Sequence, residues 1–153
     1  MKSGPRTPVE LPREGIFARR RVRLDGVEHE SFPDSRCRCT VSLSWLDGDS
    51  VQSVAEEPDT QQGQLRAGAV ACLQAQEAVT EGRLSLHLGG VKAVRAFDTW
   101  VIIAQVRADG ADQSYRLIGS VDIPGDTMAR GAALASLDAT NRILERYLPT
   151  SED

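Results

Sequence analysis

The sequence predicts an α+β domain built from two βββα units, and three observations support this prediction. Each half contains three segments whose polar and apolar residues are arranged as in strands. An alanine-rich segment with helical spacing follows each set of strands. The two alanine-rich segments align without a gap over fourteen residues. We therefore expect duplicated βββα units that form antiparallel sheet, with two helices packed on one face.

The composition fits one domain. The chain has 153 residues, 41% of them apolar, which is enough to bury a core. Residues 1–14 carry three prolines and little apolar content, so we expect a flexible arm there. A single domain over residues 15–149 follows, with pseudo-repeats over about 15–81 and 82–148, and residues 150–153 form a tail.

Charge and cysteine content limit the class of protein. The net charge of −4 argues against a surface that binds nucleic acid. The three cysteines are an odd number without scaffold-like spacing, and no signal peptide is evident, so we expect a cytoplasmic protein without a disulfide. No apolar run approaches the roughly 20 residues that a membrane helix needs, so we expect no membrane association.

The first half begins with alternating segments. Residues 15–24 predict a strand whose arginines form a solvated face rather than a nucleic-acid arm. The polar residues 25–35 predict a loop, with Asp25-Gly26 as its turn signal. A second strand then alternates cleanly and turns these residues inward: Cys37, Cys39, Val41, Leu43 and Trp45.

Turn signals define the remaining strands. Asp47-Gly48 and Asp109-Gly110 each predict a hairpin turn, and Gly89-Gly90 predicts a bend or bulge. The segment that starts at Thr99 is apolar on both faces through Ile103, which is typical of a central strand covered by helix on one side and by a partner on the other. The predicted elements are strands over 49–57, 84–97, 99–107 and 114–123 and a helix over 64–79.

The stretch from Asp126 to Leu148 is the clearest helix. Either Asp126 or Thr127 can serve as its N-cap, and Pro149 ends it. The first half of its apolar stripe is mostly alanine, so this part of the helix can approach a sheet closely. The stripe follows helical spacing through Met128, Ala132, Ala135, Ala139 and Ile143.

The two helices match each other at an offset of 64 residues. Cys72 of the first lies opposite Ser136 of the second in this alignment. The identical pairs are Arg66/Arg130, Ala69/Ala133, Ala71/Ala135, Leu73/Leu137 and Ala75/Ala139. With the matching Asp-Gly turns upstream, these pairs indicate an internal duplication.

The last helix and the strand before it carry a resemblance to a known family. The residues concerned are Gly119, Ala132, Ala135, Leu137, Ala139, Asn141 and Arg142. With the duplicated βββα order, they make the chain similar, over about residues 15–148, to the C-terminal regulatory, dimerisation domain of 2-isopropylmalate synthase and citramalate synthase. The resemblance implies a homodimer that binds an amino acid near the dimer interface, close to the loops before the helices. The chain departs from the family by Pro124-Gly125 before Asp126 and lacks the catalytic barrel with its His-x-His metal motif.

The sequence contains no catalytic constellation, so we expect no enzyme, no cofactor and no metal site. His29 falls in the predicted loop and His87 on the polar face of a strand, and each is interpreted as a surface residue. Acidic residues precede both predicted helices, where they can bind a cation or an amine, although helix capping explains them equally well. The candidate ligand-binding residues are Gly119, Asp122, Asp126, Glu57 and Asp59.

Two classes of function follow from these observations. The first is a non-enzymatic regulatory or small-molecule-binding module that forms a homodimer or higher homo-oligomer and binds a small metabolite such as an amino acid. The alternative is a nucleic-acid-binding domain, because the order αβββα from Gln64 onward matches that of double-stranded-RNA-binding domains. Asp126 and a single Arg130 stand where that family needs lysines, which argues against it. A structural subunit of a larger assembly is a further alternative.

Overall fold

The computed structural model describes residues 22–45, 48–123 and 127–149, which form two βββα units in succession. The elements are β1 (Arg23–Phe32), β2 (Arg36–Trp45), β3 (Asp49–Pro58), α1 (Gln61–Val79), β4 (Ser85–Ala96), β5 (Thr99–Asp109), β6 (Ser114–Ile123) and α2 (Met128–Leu144), which continues into a 3-10 turn (Glu145–Tyr147). This order confirms the predicted α+β class and the duplicated layout. The predicted arm, most of the predicted first strand, Asp47, Asp126 and the predicted tail lie outside the described residues.

Each unit forms its own antiparallel sheet. The strand orders are β1-β2-β3 and β4-β5-β6, so β2 and β5 are central. No hydrogen bonds join the two sheets among the described strands, and they therefore do not merge into one. Helix α1 packs on β2, β3 and β4, and α2 packs on β5, β6 and, less extensively, β1. The units are thus held together by their helices and by a core to which both contribute.

The two helices lie side by side and run in the same direction. Gly68 lies against Ala129, because a Cβ at Gly68 would fall 2.1 Å from the Ala129 carbonyl oxygen. One and two turns further along, Cys72 Sγ donates to the Ala133 carbonyl at 3.3 Å and Thr140 donates to Gln76 Oε1 at 2.6 Å. Small residues at this contact let the two helix backbones approach closely.

The structure overturns the predicted loop over residues 25–35. Strand β1 continues through Phe32, and the turn comes afterwards at Pro33 to Ser35. A register shift between Leu24 and Gly26 absorbs the Asp25-Gly26 pair as a bulge, and pairing with β2 resumes beyond it. The polar residues after the bulge suit an exposed edge strand, so the Asp-Gly turn signal is outweighed by cross-strand pairing.

Several local predictions hold. The five inward residues of β2 are buried, and the register shifts between Leu88 and Gly90 as expected of a bulge. The hairpin between β5 and β6 closes at Asp109 and Ser114. Helix α1 begins three residues earlier than predicted, because the Thr60 hydroxyl caps the Gly63 amide at 2.9 Å.

The last helix is shorter than predicted. Helix α2 ends at Leu144, and the following turn is 3-10 rather than α-helical. Thr127 is its N-cap residue, but its side chain makes no capping hydrogen bond. The apolar stripe of α2 is buried as predicted.

Candidate functional site

Two of the predicted site residues lie at the end of β3 and in the bend that follows it. Asp59 is fixed there, since its amide donates to the Ser35 carbonyl at 2.9 Å and its Oδ1 accepts from Gln64 Nε2 at 2.9 Å. Glu57, the last inward residue of β3, lies with its Oε2 3.8 Å from Nε of Arg66. Asp59 therefore presents a carboxylate held in position at the start of α1.

His29 and Cys37 meet Asp59 at this end of the first sheet. His29 lies on β1 opposite Cys39, and Cys37 lies on β2 opposite Glu57. Nε2 of His29 is 3.9 Å from Oδ1 of Asp59. One nitrogen of His29, Sγ of Cys37 and one carboxylate oxygen of Asp59 all lie within 4.8 Å of one another. We call these three residues the His–Cys–Asp cluster.

The surroundings of the cluster shift the pKa values of Asp59 and Cys37 in opposite directions. Hydrogen bonds from Ser31 and Gln64, and then the nearby His29, lower the pKa of the Asp59 carboxyl. Burial, followed by the charge of Asp59, raises the pKa of the Cys37 thiol. At neutral pH the cluster thus contains a carboxylate and an uncharged thiol. A raised thiol pKa is the opposite of what a nucleophilic cysteine needs.

The second unit has no such cluster at the corresponding place. The helix alignment and the strand registers make Val91, Ile102 and Ile123 the counterparts of His29, Cys37 and Asp59. All three counterparts are buried in one apolar cluster. Aliphatic side chains at these positions therefore pack well in this fold, and packing does not require the polar cluster.

The other predicted site residues do not join this cluster. Gly119 lies in β6 beneath α2, where an added Cβ would be 2.2 Å from the carbonyl oxygen of Ala135, so its small size serves helix packing. Asp122 is exposed on the opposite face of β6. Gly119 and Asp122 therefore cannot line one pocket, and Asp126 is outside the described residues.

The outer face of the second sheet, away from the helices, is a second feature of interest. Ile102 is fully buried beneath the helices, but its neighbours on β5 point outward and are only partly buried. Val94 is 39% exposed and Ile118 is 70% exposed. We call the outward group the apolar face; it consists of Val94, Val101, Ile103 and Ile118. These residues leave apolar surface in contact with solvent.

The outer face of the first sheet differs. Its middle row pairs Arg38 with carboxylates on both sides, 2.9 Å from Glu56 and 3.8 Å from Glu30. The counterpart of Arg38 in the second sheet is Ile103. Val54, the counterpart of Ile118, is therefore an exposed residue on a charged face.

The β4–β5 turn carries an exposed aromatic residue. Phe97 and Asp98 form this two-residue turn, and both have left-handed backbone conformations, with φ of 54° and 61°. Such turns favour asparagine and glycine, and a bulky residue is strained there. The Phe97 side chain is 99% exposed, so it contributes nothing to the core of one chain.

A groove runs along the apolar face toward basic residues. It has a volume of about 390 Å³ and is lined mainly by Lys92, Ile103, Gln105 and Ile118. The neighbouring depression shares Gln105 and adds His87 and two arginines, Arg107 and Arg116. The carboxylate of Asp109 lies 3.5 Å from Nε of Arg107, so Arg116 supplies most of the positive charge. The arrangement offers apolar contact at one end and positive charge at the other.

Comparison with known proteins does not assign the chain to a family. No protein-family model matches the sequence, and no curated protein matches it significantly. Among the described residues, no helix has the length and apolar character needed to span a bilayer.

Sequence analysis identified Asp59 but missed its partners. The sequence predicts a loop around His29 and an inward, buried side chain for Cys37. A strand through residues 23–32 would have put His29 on the same face as the inward cysteines. The continuing alternation beyond Gly26 was the available signal, and the Asp-Gly pair obscured it.

Proposed function

We propose that this chain is a non-enzymatic dimerisation module that pairs through the apolar face and binds a small carboxylate metabolite in the groove that shares Ile103 and Ile118 with that face. The observation that carries the proposal is the contrast between the two outer faces. At matched positions, one sheet exposes paired charges and the other exposes aliphatic side chains. Because an uncovered apolar face is costly in water, a second copy of the same face is the natural cover.

The borders of the apolar face support a twofold arrangement. Lys92 borders it on β4, and Asp122 borders it on β6. A twofold axis parallel to β5 places β4 of one chain over β6 of the other. Lys92 of each chain then lies within diagonal reach of Asp122 of the other, so the face is self-complementary in charge.

Phe97 supports the same proposal. Its left-handed turn and full exposure give the single chain no benefit, whereas a partner packed on the apolar face would bury the ring. Phe97→Asn should therefore have opposite effects on the stability of the monomer and on the strength of the dimer. We expect it to stabilise the monomer by about 1 kcal/mol, because asparagine tolerates this conformation, and to weaken the dimer.

Light scattering on purified protein tests dimerisation. We expect a mass twice the 16.6 kDa of one chain for the native sequence and for Val54→Asp. Ile118→Asp should give a monomer, since it places a charge at the matched position in the apolar face. A native protein that is monomeric at all concentrations, or equal masses for the two variants, would contradict the proposed interface.

The metabolite part of the proposal rests on the groove and its basic end. The apolar part of a 2-oxo acid or amino acid would lie against Ile103, and its carboxylate against Arg116, since Arg107 already lies 3.5 Å from Asp109. We expect such a ligand to raise the melting temperature of the native protein and not that of Arg116→Gln. Arg83→Gln, at an exposed arginine elsewhere, is the matched control. Indifference of the native protein to both compound classes would refute the metabolite site.

Nucleic-acid binding is the alternative function, and it needs a separate test. Arg130 lies in the first turn of α2. The described residues of that turn include no lysine and no other arginine. Phosphate contacts depend on such charges. A filter-binding assay with double-stranded RNA should give no salt-dependent binding.

A further inference from the structure

We propose that the His–Cys–Asp cluster is a binding site for a transition-metal ion, with Zn²⁺ the best fit. His29, Cys37 and Asp59 come from β1, β2 and the bend before α1, and the fold brings one donor atom of each within 4.8 Å of the others. The site is separate from the apolar face and does not depend on the proposed dimer.

The donor set selects the class of metal. A thiolate sulfur is a poor ligand for Mg²⁺ and Ca²⁺, and a carboxylate oxygen is a poor ligand for Cu(I). One nitrogen, one sulfur and one oxygen suit Zn²⁺, which accepts all three in a tetrahedral arrangement. Three protein ligands leave a fourth position for water.

The spacing fits after a small closure. Ligand atoms around tetrahedral zinc lie about 3.3–3.6 Å apart, given bond lengths of about 2.0–2.3 Å. The His29–Asp59 separation is 3.9 Å, and no separation exceeds 4.8 Å, so side-chain movements of about 1 Å suffice. When the ion binds, the Cys37 thiol releases its proton to solvent and the sulfur bonds to the metal as thiolate.

Supporting contacts and access are both present. Gln64 Nε2 donates to Oδ1 of Asp59 at 2.9 Å, which orients the carboxylate. The side chains of His29 and Asp59 are 33% and 20% exposed, whereas Cys37 is fully buried. An ion would therefore meet His29 and Asp59 first, and movement of these two side chains would admit it to the buried sulfur.

The internal duplication supplies an independent argument. The counterparts of these residues, Val91, Ile102 and Ile123, form a buried apolar cluster in the second unit. Aliphatic side chains at these places complete the core of the second unit, so packing alone does not explain a histidine, a thiol and a carboxylate in the first unit. Metal binding would explain why these three polar residues lie together in the first unit.

Cobalt titration of the full chain tests the site. After treatment with a chelator, the native protein should take up one equivalent of Co²⁺ and develop the near-ultraviolet charge-transfer absorption of a cobalt–thiolate bond. Zn²⁺ should displace the cobalt and abolish the absorption. No uptake, or uptake without the thiolate absorption, would overturn the proposal.

Matched variants locate the ligands. Cys37→Ser should abolish the thiolate absorption. His29→Ala and Asp59→Asn should each weaken Co²⁺ binding by at least about 100-fold, because losing even a residue that only hydrogen-bonds to a metal ligand weakens metal binding about 10–100-fold. Cys39→Ser is the control for the thiol, because Cys39 is an equally buried cysteine of β2. His87→Ala is the control for histidine, because His87 also faces a carboxylate, Asp109 at 3.6 Å, without a cysteine.

Circular dichroism checks that each variant is folded. If Cys37→Ser does not fold, the more exposed His29→Ala decides the outcome. Unchanged Co²⁺ affinity in folded His29→Ala, or thiolate absorption that persists in folded Cys37→Ser, would refute the site. An equal loss of affinity in His87→Ala would refute it as well.

Discussion

The buried hydrogen bond between the helices gives a quantitative prediction. The Thr140 hydroxyl donates to Gln76 Oε1 at 2.6 Å, and both residues are fully buried at positions related by the internal repeat. Thr140→Val keeps the side-chain shape and removes the donor, which leaves Gln76 Oε1 without its partner. A buried polar atom left unpaired costs about 1–3 kcal/mol, so we expect the free energy of unfolding to fall by that amount.

The reverse change should cost less. In Gln76→Leu, the Thr140 hydroxyl can turn to the carbonyl oxygen of Leu137 or of Ser136, which lie at 3.2 Å and 3.3 Å. The Thr140→Val/Gln76→Leu double variant replaces both partners by apolar groups and should be nearer the native stability than Thr140→Val alone. The double-mutant cycle should therefore give a coupling energy of about 1 kcal/mol or more.

Thermal and denaturant unfolding at one fixed protein concentration measure these changes. For a chain of this size, about 1–3 kcal/mol lowers the melting temperature by roughly 3–10 °C. The matched control is Ser42→Ala, which removes the acceptor of an exposed bond from Gln52 at 3.1 Å and should cost less than about 0.5 kcal/mol. The reasoning fails if Thr140→Val is as stable as the native protein, or if the double variant loses the sum of the two single losses.

Two further predictions concern packing and pH. Gly119→Ala places a Cβ 2.2 Å from the Ala135 carbonyl oxygen and 2.3 Å from the Ala139 amide nitrogen, so it should destabilise the fold by at least about 2 kcal/mol in chemical unfolding. Gly90→Ala, where nothing lies within 4 Å, should stay within about 0.5 kcal/mol of the native protein, and similar losses at both positions would contradict the account. Burial raises the pKa of Cys39 to about 11 and that of Cys72 to about 12. Stability should therefore be unaffected by these thiols below the pKa of an unfolded cysteine, about 8.5, and should fall as the pH rises from there toward 11–12, by up to about 1.4 kcal/mol per pH unit for each thiol. The sign follows because only the unfolded chain releases these protons in that range; Cys72→Ala should show a shallower decline, and an unchanged slope would argue against a buried neutral thiol at this position.

Local periodicity predicted much of the fold. Alternation identified the inward face of β2, and the Gly89-Gly90 pair marked the bulge in β4. These features depend on residues close together in sequence, where side-chain direction repeats with the period of the element. The same approach failed at β1, because the Asp25-Gly26 turn signal is local, whereas the pairing that overrides it comes from β2.

The candidate sites depended more on tertiary structure. The expectation of a central strand with a helix on one side and a partner on the other rested on the composition of β5. Val101 and Ile103 lie on the side away from the helices, and the partner stays a prediction. The grouping of Gly119 with Asp122 does not survive, since alternation along β6 puts them on opposite faces. The two residues were grouped because both precede a helix in the sequence. Position along the sequence does not by itself show which face of the sheet a residue occupies.

The sequence by itself determined the duplicated units, the helices and the polarity of most strand faces, because each follows from short-range patterns of side-chain chemistry. Tertiary structure alone decided that the two sheets of the described strands stay separate and that His29, Cys37 and Asp59 converge. These three residues lie on different elements, and the separations between their donor atoms are set by strand register and by the angle at which β3 enters α1. Register and angle are fixed by long-range hydrogen bonds and core packing, which a pattern along one segment does not contain.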